Sequence, residues 1–273
     1  MVGSLSAQTR ICAYCDASGK LTKEHLLPHS LSMRSDEDLE HNIMAGAEHR
    51  VISNEPTIAD VCFACNNGPL SLLDEYICGL YDKHFVHLVR PGDCVKLTVD
   101  FNLLLRWLLK TAYNVARARR GNWPVSSLFL LRGYILGKDK KRPASRLLLQ
   151  LITPARIEPG SIKGLSPDAT EVPMIFNRIG AFDCTFAPGF LMGFLITVNS
   201  YYFHVFVEGP NANARLRERT LASLMRNIPG GFQLIPGKTA VVYSSSVDAF
   251  QVAERSAPLV RNIRNWDKWK RQS

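Results

Sequence analysis

At 273 residues, with 46% hydrophobic and 21% charged residues, the chain has room for one large or two modest domains and an ordinary globular composition. Its longest nearly unbroken apolar run, residues 189–198, is about half of what a membrane-spanning helix requires, and the first ten residues lack the basic and apolar regions of a secretory signal. The net charge of +9 is unevenly split: residues 1–90 hold 7 Lys/Arg against 12 Asp/Glu, and residues 91–273 hold 26 against 12. An acidic segment suited to a divalent cation therefore precedes a basic one suited to phosphates.

The first element in chain order is a cysteine pair, Cys12-Ala-Tyr-Cys15. A short strand over residues 22–27 follows, carrying Glu24 and His25 and stopped by Pro28. Residues 32–57 are polar and read as a long loop. The second pair, Cys62-Phe-Ala-Cys65, runs into Asn66-Asn67, and a helix begins near Asn66 or Pro69, with an Asn as N-cap and the Pro at an early helical position. Seven cysteines, four of them in C-x2-C pairs, fit a reducing, cytoplasmic setting and metal binding better than a disulfide framework. Two thiolate pairs at this spacing can close a tetrahedral zinc site, which leaves no open coordination position and so staples the fold without doing chemistry.

Pro91-Gly92-Asp93 marks a boundary. Beyond it, residues 100–118 read as an amphipathic helix. Phe101, Leu104, Leu105, Leu108, Ala112, Val115 and Ala116 form its apolar stripe, and Arg106, Lys110, Asn114 and Arg117 lie opposite. Between Arg106 and Arg146 there are 11 Lys/Arg and a single acid, Asp139, which makes Arg106, Lys110 and Arg117 the candidate nucleic-acid-binding residues. Residues 128–136, 146–152, 174–179, 191–198 and 201–207 read as strands, with Asn199-Ser200 as a hairpin turn. Residues 215–226 and 247–269 read as helical, and residues 239–243 as a weaker strand. The expected architecture is α+β, with a motif-bearing module over residues 10–90 and a basic module over residues 95–273. The second module is built from the long helix and an antiparallel sheet.

The combination C-x2-C, then Glu24-His25-Leu-Leu-Pro28, then Val61-Cys62-x-x-Cys65-Asn66-Asn67 resembles the HNH endonucleases, the zinc-containing branch of the ββα-metal nucleases. The likeness covers about residues 10–80. It implies that Cys12, Cys15, Cys62 and Cys65 hold structural zinc and that His25 is the general base. It further implies that Glu24 and Asn66 ligate a catalytic magnesium or manganese ion. Many members have Asp where this chain has Glu24, which reaches farther and keeps the charge. The central Asn of the family name falls on Asn54 or Asn42, with Asn54 preferred. The implied activity is metal-dependent hydrolysis of phosphodiester bonds in nucleic acid, DNA being the expected substrate. Cutting both strands would call for a homodimer. The alternative is a non-catalytic zinc-knuckle protein that binds nucleic acid through its basic module.

Overall fold

A computed structural model describes residues 10–34, 42–44, 50–52, 57–118, 125–160, 167–168, 170–171, 179–182, 190–208, 213–226, 228–244, 248 and 251. β1 (Leu21–His25) is followed by one helical turn, α1 (His29–Ser32), which starts directly after Pro28. β2 (Asn42–Met44) and β3 (Arg50–Ile52) pair antiparallel, so part of the expected loop is a small hairpin. β4 (Thr57–Cys62) returns antiparallel to β1, with Leu21 opposite Cys62 and His25 opposite Thr57. Between Thr22 and Glu24 the register shifts. Such a bulge adds one residue to a strand and re-aims the side chains beyond it.

β4 runs straight into α2 (Phe63–Cys65), a π-helical turn over Asn66–Leu70, and α3 (Ser71–Leu80). Pro69 and the non-helical Gly68 lie in that turn, where a proline removes a backbone donor and the ladder must widen. A second π-helical turn, Tyr81–Phe85, closes this stretch. β5 (Cys94–Leu97) pairs with the last described strand, residues 240–243.

α4 (Phe101–Ala118) is the central element. Asp100 caps it, its Oδ1 accepting from the amides of Asn102 and Leu103 at 2.9 and 3.0 Å. Of its 18 residues, 13 are buried, Lys110 and Asn114 among them. The helix therefore has no broad solvent face, and the expected amphipathic reading is corrected on that point. Residues 128–136, expected as a strand, are helical: α5 (Val125–Phe129) and α6 (Arg132–Ile135). Leu128, Tyr134 and Ile135 are buried from these turns, and a short apolar run carries no periodicity that separates strand from helix.

The main sheet is wholly antiparallel and contains β6 (Ser145–Leu151), β7 (Ile179–Phe182), β8 (Phe190–Val198) and β9 (Tyr201–Glu208). α7 (Ala214–Arg226), β10 (Phe232–Gln233) and β11 (Ala240–Tyr243) complete the order, and the sheet runs β10-β6-β9-β8-β7. Of the strand expected over residues 174–179, only Ile179 lies among the described residues, and it opens β7. Leu221, Ile228 and Met225 pack on Leu148 and Phe206 of the sheet. Asn199, at φ 46° in the hairpin turn, donates from Nδ2 to the Phe85 carbonyl at 2.8 Å. Ser200 Oγ accepts from the Val89 amide, and Tyr201 Oη donates to the His84 carbonyl. The hairpin tip is thus pinned to the end of the cysteine-bearing segment. One cluster of buried residues runs from Cys12 and Tyr14 through α4 to Phe203 and Val242, spanning both sides of the Pro91 boundary. No described helix is long and apolar enough to cross a membrane.

Candidate metal centre and the polar network behind it

The first cysteine pair lies on a tight turn. The Cys12 amide donates to the Ala17 carbonyl, the Asp16 amide donates to the Cys12 carbonyl, and Asp16 adopts a φ of 60°. Cys62 ends β4 and Cys65 ends α2. The four Sγ atoms all lie within 4.8 Å of one another, and Cys15 and Cys62 approach to 3.6 Å. Thiolates about 2.3 Å from one tetrahedral zinc sit roughly 3.8 Å apart, so the four sulfurs fit a metal ion such as zinc. Burial opposes ionisation of Cys12, but the amides of Cys62 and Tyr14, at 3.3 and 3.4 Å from its Sγ, outweigh it and hold the thiol at about 7. These amides suit a thiolate that must stay deprotonated to bind metal.

The knuckle docks on α4 through hydrogen bonds. The Ala13 carbonyl accepts from Tyr113 Oη at 3.0 Å and from Arg132 Nη1 at 3.3 Å, and the Ala13 amide donates to the Asp60 carbonyl. Tyr14 Oη donates to Asn114 Oδ1 at 2.7 Å. Arg117 grips Asp60 with Nε and Nη2 at 2.9 and 3.3 Å, donates to Asn114 Oδ1, and lies 4.0 Å above the Tyr113 ring. Burial opposes the charge of Arg117, but Tyr14 and Asp60 more than compensate. Asn114 Nδ2 donates to Glu24 Oε1 and to the His25 carbonyl, both at 3.2 Å.

One turn back on α4, Lys110 Nζ lies 2.7 Å from Glu24 Oε1 and 2.5 Å from Asp74 Oδ2. Lys110 and Glu24 are 2% and 4% exposed, so both charges are paired inside the protein. Burial pushes the Asp74 carboxyl above its ordinary value.

The expected site residues divide accordingly. Cys12, Cys15, Cys62 and Cys65 converge. His25 is half-buried at the end of β1, its ring 5.5 Å from that of His29. Asn66 Nδ2 donates to Thr22 Oγ1 and to the Lys23 carbonyl, both at 2.9 Å, which ties the start of the helix to β1 two residues before His25. Glu24 faces Lys110 and Asn114, so an ammonium already sits on the carboxylate expected to hold a divalent ion. Asn66 is held to β1 through Nδ2, and its Oδ1 is the atom that could ligate a cation. Lys110 and Arg117 are engaged inward, and Arg106 Nε donates to the Ile135 carbonyl. Gly137, at φ 74°, lies against the Arg106 guanidinium, where a Cβ would meet Nη2 at 2.8 Å. The expected phosphate-binding stripe is therefore an internal network. Asn54 lies outside the described residues, as does nearly all of residues 247–269.

Sequence reasoning missed Tyr14, Asp60 and Asp74. The signal available was charge complementarity, since the basic residues of α4 follow a segment with an excess of acids.

Together the fold and the site define an α+β protein whose four-cysteine cluster can hold a metal ion such as zinc. Compared with family models, with curated proteins and with solved structures, the chain matches none.

Proposed function

We propose that this protein hydrolyses phosphodiester bonds in nucleic acid, with DNA as the expected substrate, His25 as general base and zinc on Cys12, Cys15, Cys62 and Cys65. The observation that carries this reading is the order β1, β4, helix around the cysteine cluster. Asn66, at the start of the helix, is hydrogen-bonded to β1 beside His25. An imidazole there can take a proton from water. The hydroxide formed attacks phosphorus, the bond to the leaving oxygen breaks, and that oxygen takes up a proton from solvent. With the α4 cations turned inward, phosphate contact falls to the exposed Lys138, Lys140, Lys141 and Arg142. The Lys138 and Asp139 amides donate to the Gly133 carbonyl, next to Arg132, which pairs with Asp16 of the first knuckle at 2.7 Å. The start of the basic loop is thus linked to the first knuckle through Gly133 and the Arg132 side chain.

The resemblance also brings a magnesium or manganese requirement, and the ion pair at Glu24 favours a second reading in which the chain binds nucleic acid without cutting it. Supercoiled plasmid incubated with magnesium, manganese or EDTA separates the two. Nicking that needs the divalent ion and disappears in His25→Ala, with zinc content and fold retained, is the result expected of the enzyme. Plasmid binding with no nicking under any condition would identify the binding protein.

A further inference from the structure

Lys110 is a long cationic side chain withdrawn almost completely from solvent in the middle of a helix, and hydrolysis at His25 has no use for it. An ammonium is brought into a protein interior only where opposite charges receive it. Here two do, Glu24 from β1 and Asp74 from α3, at 2.7 and 2.5 Å. Asn114, one turn along the same helix, donates to the same Glu24 oxygen. A divalent ion on either oxygen of this carboxylate would meet a fixed positive charge a few ångströms away.

We propose that Lys110 is a built-in cation, its ammonium taking the place at Glu24 that a divalent ion would occupy. Glu24 is then an anchor for α4 and not a metal ligand. The consequence for the site is direct. Lys110 holds the Glu24 side chain and Asn114 holds the His25 carbonyl, so α4 sets the end of β1 from behind. Any divalent ion that assists His25 has to bind without Glu24. The inference concerns the cation at Glu24 and stands whether or not His25 cuts nucleic acid.

Binding of Mn2+ alone tests it, read by water-proton relaxation on the zinc-loaded full chain, without substrate. Wild type and Glu24→Gln are expected to bind Mn2+ equally, within about twofold. Lys110→Met is expected to gain a site at least about tenfold tighter, and Glu24→Gln/Lys110→Met to lose that gain. A loss of about tenfold or more in Glu24→Gln would overturn the proposal, and so would a folded Lys110→Met with no gain. Should either variant fail to fold, wild type decides by NMR. With diamagnetic Mg2+ in place of Mn2+, a Glu24 side-chain carboxyl 13C signal that shifts on addition of the ion contradicts the built-in cation, and one that stays in place supports it. Because cleavage plays no part in the readout, failure here and failure of the hydrolytic reading remain distinguishable.

Discussion

Arg117 shows how a side chain that looks like a nucleic-acid ligand becomes part of the interior. Its guanidinium has a bidentate partner in Asp60 and stacks on Tyr113, a combination that the planar fork of Arg supports and Lys does not. Asp60 is one-third exposed, so water softens the loss of its partner. Arg117→Met should cost about 2–3 kcal/mol in urea unfolding. Arg132 reaches the same knuckle, but its partner Asp16 is 58% exposed. Replacing Asp16 with Asn should change stability by under about 1 kcal/mol in the same assay. Equal losses at the two positions would contradict the division into internal and solvated pairs.

At the scale of elements, the antiparallel sheet carries a pH dependence of its own. His204 on β9 is fully buried, and burial pulls its imidazole down to about 3. Its Nε2 lies 3.1 Å from Gln150 Oε1 on β6, and Gln150 Nε2 donates to the Pro229 carbonyl at 2.8 Å. Gln150 must therefore accept with Oε1, so the neutral imidazole carries its proton on Nε2. A base whose folded value lies below its unfolded one contributes stability at and above the unfolded value. That stability is lost as pH falls from about 6.5 toward 3, by at most about 1.4 kcal/mol per pH unit. Unfolding curves between pH 7 and 4 should show this slope in wild type and a flatter one in His204→Gln.

The four-cysteine cluster is the other element-scale joint. Both knuckles present backbone groups or neighbours, Ala13, Tyr14 and Asp60, to α4, so loss of metal should loosen the long helix as well as the knuckles. One zinc per chain is expected by native mass spectrometry. Chelation or Cys15→Ser should remove it and lower Tm by on the order of 10 °C.

For the molecule as a whole, the net positive charge has to act through residues that reach solvent. The exposed loop over residues 138–142 does so and α4 does not. Lys140→Glu/Lys141→Glu should weaken DNA binding and reduce the magnitude of the log–log salt slope by about 2, near 0.9 for each phosphate no longer neutralised. Thermal stability should stay as in wild type. An unchanged salt slope would contradict the proposed phosphate contact by this loop.

The cysteine spacing was legible in the sequence because a turn that chelates with two thiolates needs only three residues of local chain. The β8–β9 hairpin, the Asp100-capped helix and α7 were legible for the same reason: turn chemistry and apolar periodicity are local properties. What faces α4 is not local. Lys110 meets Glu24 and Asp74 from segments 86 and 36 residues away along the chain, and no helical period tells a solvated polar face from one that receives buried carboxylates. The bulge of β4 opposite Thr22 and Glu24 exists only once β1 and β4 have paired. The sequence by itself determined which cysteines could hold a metal and where the most strongly patterned elements lie, α4, α7 and the β8–β9 hairpin. Only the tertiary structure decided which charges reach solvent, because a buried charge is set by the partner that chain folding brings to it.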